Sequence, residues 1–314
     1  MRFPTFRLAI FASAVLAGAF PSPSVFAVAP SRGAVYLSQI NGALYFVPYV
    51  FDGTTMTLST PRAVAQLPRG GGVQVLPDRR VAVVGAGAVS IFDPHAGTVL
   101  VAASQNNANT VMVDPDVARL WVGWKDTPLS EVPLAPFGAG TAHNVSGDDG
   151  VATMIAITPL DGAFYTTGGE SENGSFGRMD LATFATTRLA ASVFATGIVY
   201  DGATGTLLTA GLGHARQVQS SAPAAVVSSR DDTATGENYL VLTPTGDKHY
   251  LGTRFGGNGR VVMIDATATG LVGDPTSILV STTTGAVTDL SGALGVDMDS
   301  VFYDGLDGVA RVVQ

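Results

Sequence analysis

The chain has 314 residues, with 25 aspartates and glutamates against 17 lysines and arginines, and a formal net charge of −8 at pH 7. That balance argues against a nucleic-acid partner and against adhesion to an anionic membrane. There is no cysteine, which excludes thiol nucleophiles, thiolate metal sites and disulfides, and an apolar fraction of 46% with only 13% charged residues excludes a disordered chain.

In chain order, the first 27 residues read as a secretory signal. Arg2 and Arg7 form a positive n-region. Leu8 to Phe20 is an apolar run too short to span a bilayer, and Val25-Phe26-Ala27 ends in small residues suited to cleavage after Ala27. Cleavage there removes two arginines and no acids, moves the net charge to −10, and leaves residues 28–314 as a single secreted or periplasmic domain. No later segment suggests insertion in a membrane.

Residues 33–67 supply three apolar strands, AVYLSQ, ALYFVPYVF and one within TLSTPRAVAQL. From residue 73 a repeat sets in: an apolar strand, a Pro/Asp/Gly turn, then a second apolar strand ending in small residues. The copies are Val73–Ala86, Val111–Trp124, Ile155–Gly169, Ile198–Leu212 and Tyr239–Arg254, with a weaker one at Leu294–Leu306. Their turn positions, Pro77, Pro115, Pro159, Asp201, Pro244 and Asp297, recur roughly every 40–50 residues, the period of a four-stranded propeller blade. A third strand follows in several copies and ends at Asp93, Asp180 or Asp265, where an aspartate can accept local backbone hydrogen bonds and start a turn. Helical periodicity is almost absent. The fold class expected is all-β, a β-propeller of four-stranded antiparallel blades. Seven blades are favoured, and six is the alternative if the two chain ends interlock in one blade, since closing the ring removes exposed edges.

The segments LPDRRVAVVGAGAVSIFDPHAGTV and VVMIDATATGLV resemble blades of the YVTN/NHL-type propellers. The resemblance covers most of the mature chain. It implies an architecture and leaves the activity open, because such blades serve enzymes, binders and scaffolds alike.

A propeller topology puts the residues before each first strand and after each second strand on one face of the disc, near the channel mouth. On that face the sequence places Asn109, Asp149, Trp124, Glu170, His214, Arg254 and Asn258. Glu170, with Asn109 and Asp149 from other blades, supplies oxygen ligands suited to Ca²⁺ or Mg²⁺. His214 is the candidate general base, which needs a carboxylate to orient it. Trp124 offers a stacking surface for a sugar or an aromatic group, with Arg254 and Asn258 as polar contacts. His143 lies in a Gly-rich stretch that the sequence does not place. The chain lacks the Glu-Gly-Pro entrance of metal-dependent lactonase propellers and the paired histidines of streptogramin-lyase-like ones. The first expectation is therefore a binding or interaction protein for a small molecule, a carbohydrate or another protein. The second is a metal-assisted hydrolase or lyase.

Overall fold

A computed structural model describes residues 31–39, 41–51, 56–69, 72–76, 78–104, 110–114, 118–123, 128–150, 154–158, 162–167, 175–191, 197–201, 204–211, 214–221, 225–231, 238–242, 249–254, 260–267, 269–279, 281–282, 285–286, 290–297, 301–304 and 310–313. Beyond residue 230, side chains are described at 269–271 only. Residues 1–27, expected from the sequence to be a secretory signal, lie outside the described residues.

Every regular element among the described residues is a strand, and consecutive strands pair antiparallel as the alternation of apolar runs and turns requires. Sheet II contains Val73–Val75, Val81–Gly85, Ala88–Asp93 and Thr98–Ala103. Sheet III contains Thr110–Val113, Arg119–Gly123, Leu129–Pro133 and Thr141–His143. Sheet IV contains Met154–Thr158, Gly162–Thr166, Ser175–Asp180 and Ala185–Ala191, with the short strand Ser146–Gly147 alongside the last of these. Sheet V contains Gly197–Asp201, Thr206–Gly211, His214–Gln219 and Val226–Asp231. Sheet VI contains Asn238–Leu242, His249–Arg254, Arg260–Thr267 and Gly270–Leu279. These sheets coincide with the five strong sequence copies.

Sheet I is built from both ends of the chain. Its first strand is Leu290–Asp297, which pairs antiparallel with Ser31–Gln39, and Ala43–Phe51 and then Met56–Leu58 and Arg62–Gln66 complete it. The first strands of the six sheets touch in a closed ring, in which Leu290–Asp297 lies against Val73–Val75 on one side and Asn238–Leu242 on the other. The sequence favours seven blades, whereas the described strands form six four- or five-stranded sheets. The difference lies in the weak copy at Leu294–Leu306. Its first strand completes sheet I, and Val301–Asp304 forms a separate hairpin with Ala310–Val313.

The core lies in layers between successive sheets. Ala34, Tyr36, Leu44 and Phe46 of sheet I meet Val81, Val83 and Phe92 of sheet II. The opposite face of sheet II, with Ala82, Val84, Val89 and Ile91, meets Leu120, Val122 and Val132 of sheet III. Trp121 and Leu129, on the other face of sheet III, meet Ala163, Tyr165 and Met179 of sheet IV. Neighbouring residues thus point to opposite layers, which is why the second strands are apolar at almost every position.

The aspartate turns form as their sequence implies. Asp93 Oδ1 accepts from the amides of His95 and Ala96 at 2.8 and 3.0 Å, and Asp180 Oδ1 accepts from Ala182 and Thr183 at 2.8 and 3.0 Å. Each turn closes on a residue of positive φ, Gly97 at +65° and Phe184 at +56°. A glycine takes that conformation freely, whereas a phenylalanine there costs roughly 1–2 kcal/mol.

Sheet I depends on a strand contributed from far along the chain. Truncation after residue 289 is expected to cost several kcal/mol, at about 1 kcal/mol per ladder hydrogen bond lost. Thermal melting will show a broadened transition at lower temperature, and amide exchange will accelerate at 31–39.

Candidate functional site

Segments 105–109, 124–127, 168–174 and 255–259 lie outside the described residues, and with them Asn109, Trp124, Glu170 and Asn258, which the sequence reading expects at the channel-mouth face. Two further candidates are placed by their backbones. Arg254 ends the second strand of sheet VI opposite Asn238. His214 opens the third strand of sheet V, rather than closing the second, and pairs with Gly211 and Asp231.

Asp149 is described in full. Residues 144–150 carry the chain from sheet III to sheet IV along the outer strand: Ser146 and Gly147 pair in parallel with Ala185 and Thr186. The Asp149 amide donates to Thr186 Oγ1 at 2.9 Å, and the Thr186 hydroxyl donates to the Asp149 carbonyl at 2.7 Å. Asp149 is therefore fixed beside the outer strand of sheet IV, with 7% of its surface exposed.

Both carboxylate oxygens are engaged. Arg188, on the outer strand, donates to Oδ1 from Nη2 at 2.5 Å and from Nε at 3.1 Å. The Tyr165 hydroxyl, fully buried, donates to Oδ2 in a short hydrogen bond. Tyr165 reaches this far because Gly177 stands on the intervening strand: a Cβ there would lie 2.7 Å from Tyr165 Oη and 2.8 Å from Cε1. Burial pushes the Asp149 carboxyl upward, but hydrogen bonds from Arg188, Tyr165 and Ser175 outweigh it and hold the group below the usual carboxylate range. Burial, then the neighbouring carboxylate, pushes the Tyr165 phenol far above its ordinary value, so it acts as a neutral donor.

A second polar cluster stands on the face of sheet III that looks toward sheet IV. In register, Trp121 lies opposite Glu131 and Leu129 opposite His143, so the alternation of the strands brings these side chains to one face with Arg119. Asp114 Oδ2 accepts from Arg119 Nε at 2.9 Å, and Arg119 Nη1 donates to Glu131 Oε1 at 2.9 Å. Glu131 Oε2 lies 2.8 Å from His143 Nε2. Burial raises the Glu131 carboxyl, and the hydrogen bonds from Arg119 and His143 more than reverse it, leaving it low. Aromatic rings cover the cluster. Arg119 lies over Trp121 at 5.3 Å, His143 stacks on Phe184 of sheet IV at 4.2 Å, and Trp121 meets Phe184 edge-on at 5.7 Å.

Sequence reasoning assigned no role to Arg188, Tyr165, Glu131 or His143. A lone arginine in the small-residue strand ATTRLAA was the one available signal for Arg188. Among the described residues no group of three histidine, aspartate or glutamate side chains is placed to hold a metal ion.

The ring of four- and five-stranded antiparallel sheets makes the chain a β-propeller. No protein-family model matches it, and no curated protein matches it in sequence. Among solved structures it is similar to the periplasmic gluconolactonase of Pseudomonas aeruginosa, with a TM-score of 0.55 and 12% identity over 90% of this chain and 96% of that one. It is also similar to the calcium-binding protein regucalcin from Agrobacterium tumefaciens, with a TM-score of 0.49 and 16% identity over 65% and 72% of the two chains. The WD40 propeller domain of Doa1 gives a TM-score of 0.46 and 17% identity over 65% and 67%. At such identities the likeness to the gluconolactonase establishes the fold alone.

Tyr165→Phe keeps the ring across Gly177 and removes one hydrogen bond to a charged group. It is expected to cost about 1.5–3 kcal/mol in denaturant unfolding. The Asp149 carboxyl is lowered by folding, so its contribution is present above the unfolded value of about 4 and is lost as the pH falls through the lower folded value. Wild type should therefore lose melting temperature below about pH 4 more steeply than Asp149→Asn, which starts lower.

Proposed function

We propose that this chain is an exported β-propeller that works as a binding or interaction protein, engaging a small molecule, a carbohydrate or another protein at its channel-mouth face. The observation that carries this reading is the state of Asp149. Of the three oxygen ligands the sequence offers for a divalent ion, it is the one whose surroundings are described, and Arg188 and Tyr165 occupy its carboxylate. A carboxylate so held ties two segments of the scaffold together. To coordinate Ca²⁺ or Mg²⁺ it would have to release a guanidinium, and the ion would then sit beside a positive charge. Trp124, Arg254 and Asn258 supply the contacts for a ligand in this reading.

Export rests on the n-region arginines, the short apolar run and the small residues before the cleavage position. The Pseudomonas aeruginosa propeller of similar fold is itself described as periplasmic.

The competing reading is a metal-assisted hydrolase or lyase in which Glu170, Asn109 and Asp149 hold the ion and His214 acts as base. Elemental analysis of the purified protein separates the two. The binding reading expects no stoichiometric divalent metal and an unchanged melting temperature in excess chelator. One bound metal per chain, lost with a fall in melting temperature on chelation, would overturn it. Export has its own test: intact mass and N-terminal sequencing of the protein recovered outside the cytoplasm are expected to show a chain beginning at Val28, and a retained Met1 would refute it.

A further inference from the structure

The outer strand of a blade presents an open edge, and nearly all of these edges are charged, short or covered. Arg62, Arg188, Arg230 with Asp231, and Asp274 with Pro275 stand in the outer strands of sheets I, IV, V and VI. The outer strand of sheet III has three residues, and Ser146–Gly147 lies along that of sheet IV. Charge, proline, brevity and cover are the usual means of keeping an edge from pairing with another chain. Sheet II has none of these along most of its edge. Its outer strand Thr98–Ala103, TVLVAA, carries no charged residue and no proline, and Leu100 and Val101 are 51% and 52% exposed.

Two hydrogen bonds fix the direction of the backbone groups on this strand. The Ser104 amide donates to the Gly87 carbonyl at 2.9 Å, and the Gly140 amide donates to the Ala103 carbonyl at 2.8 Å. In an antiparallel ladder, successive residues point their N–H and C=O groups alternately toward and away from the partner strand. Thr98, Leu100 and Ala102 therefore bond to the strand Ala88–Asp93, and Val99, Val101 and Ala103 turn outward. Gly140 takes the Ala103 carbonyl and covers that end of the edge. Among the described residues no strand pairs with the outward groups of Val99 and Val101. The Val99 side chain packs against the core between sheets I and II, which holds the strand in place.

We propose that this edge is a self-association site, at which two copies of the chain join by antiparallel pairing of their Thr98–Ala103 strands about a two-fold axis at Leu100. In that register Val99 of each copy exchanges both backbone hydrogen bonds with Val101 of the other, so every outward group of these two residues finds a partner. The register spares Ala103, whose carbonyl is already taken. Leu100 meets its counterpart at a non-hydrogen-bonded position, where facing side chains lie closest. Charge favours a second copy as the occupant. In a chain of net charge −8 most surfaces repel their own kind, and this strand brings no charge to the contact. Antiparallel pairing also sets the turns carrying Asp93 at opposite ends of the joined strands, so these acids do not meet. Such a contact is smaller than the roughly 1,200–2,000 Å² of stable interfaces, and the dimer is reversible. The same patch is used on both copies, so the pairing closes at two.

Sedimentation velocity of the whole protein over a range of concentrations is expected to show monomer passing reversibly to dimer, with a dissociation constant of about 10–100 μM. Amide exchange at Val99 and Val101, followed by NMR, is expected to slow as the concentration rises through that range, while the Leu100 amide, already bonded within sheet II, changes little. Val101→Lys sets a charge close to its own symmetry mate on an exposed position. It is expected to weaken dimerisation at least tenfold and to leave the melting temperature within about 2 °C of the parent. Val101→Pro removes an outward amide without taking a donor from the sheet's own ladder, and is expected to weaken dimerisation as much without adding charge. A protein that stays monomeric up to about 1 mM overturns the proposal, as do oligomers larger than a dimer. A dimer that persists in both variants, or that forms with no change in exchange at Val99 and Val101, is held by another surface and overturns it too.

Discussion

A small sheet has two faces, and in a ring of sheets each face must be buried against a different neighbour. That requirement governs most of this molecule. It explains why Val81, Ala82, Val83, Val84 and Gly85 are buried without alternation, when a sheet with one wet face would carry a polar residue at every second position. It also explains why the ring has to close. An open first strand would leave both an apolar face and a ladder of backbone groups unpaired, and the strand Leu290–Asp297 supplies what sheet I lacks.

Within this apolar arrangement, charge is admitted where it is paired. Asp149 is nearly buried, and an isolated carboxylate there would be strongly disfavoured. Arg188, Tyr165, Ser175 and Thr186 make the position tenable. The pairing also ties the connection from sheet III to the outer strand of sheet IV, which covers an edge that would otherwise be open. Other joints use the same device more sparingly. Arg178 lies over Phe164 and donates to the Ser220 carbonyl of sheet V, and Arg230 reaches the Leu271 carbonyl of sheet VI. In a chain with few charged residues, these cations serve mainly to join sheets.

The strands and turns were legible because their causes are local. Asp93 and Asp180 cap their own turns through backbone amides two and three residues away, and the Gly85-Ala-Gly87 run makes a tight turn with Ala86 and Gly87 both at positive φ. The polar sites were not legible in the same way. Asp149 reads in the sequence as an oxygen ligand placed before a first strand, yet the partners that define it, Tyr165 and Arg188, lie 16 and 39 residues further on. His143 carried no recognisable spacing, because its partners come from the third strand of its own sheet and a turn of the next.

Residue type and period alone determined that this chain is built of repeated strand–turn–strand units and closes as a propeller, since apolar alternation and turn chemistry act over a few residues. Tertiary structure alone decided that the two chain ends share a sheet, that Asp149 is an ion-pair partner beside an outer strand, and that a phenylalanine occupies a glycine's conformation to meet His143. Each of those outcomes depends on which surfaces the ring brings together, and that is set by long-range packing and by the pairing of charges that cannot be buried alone.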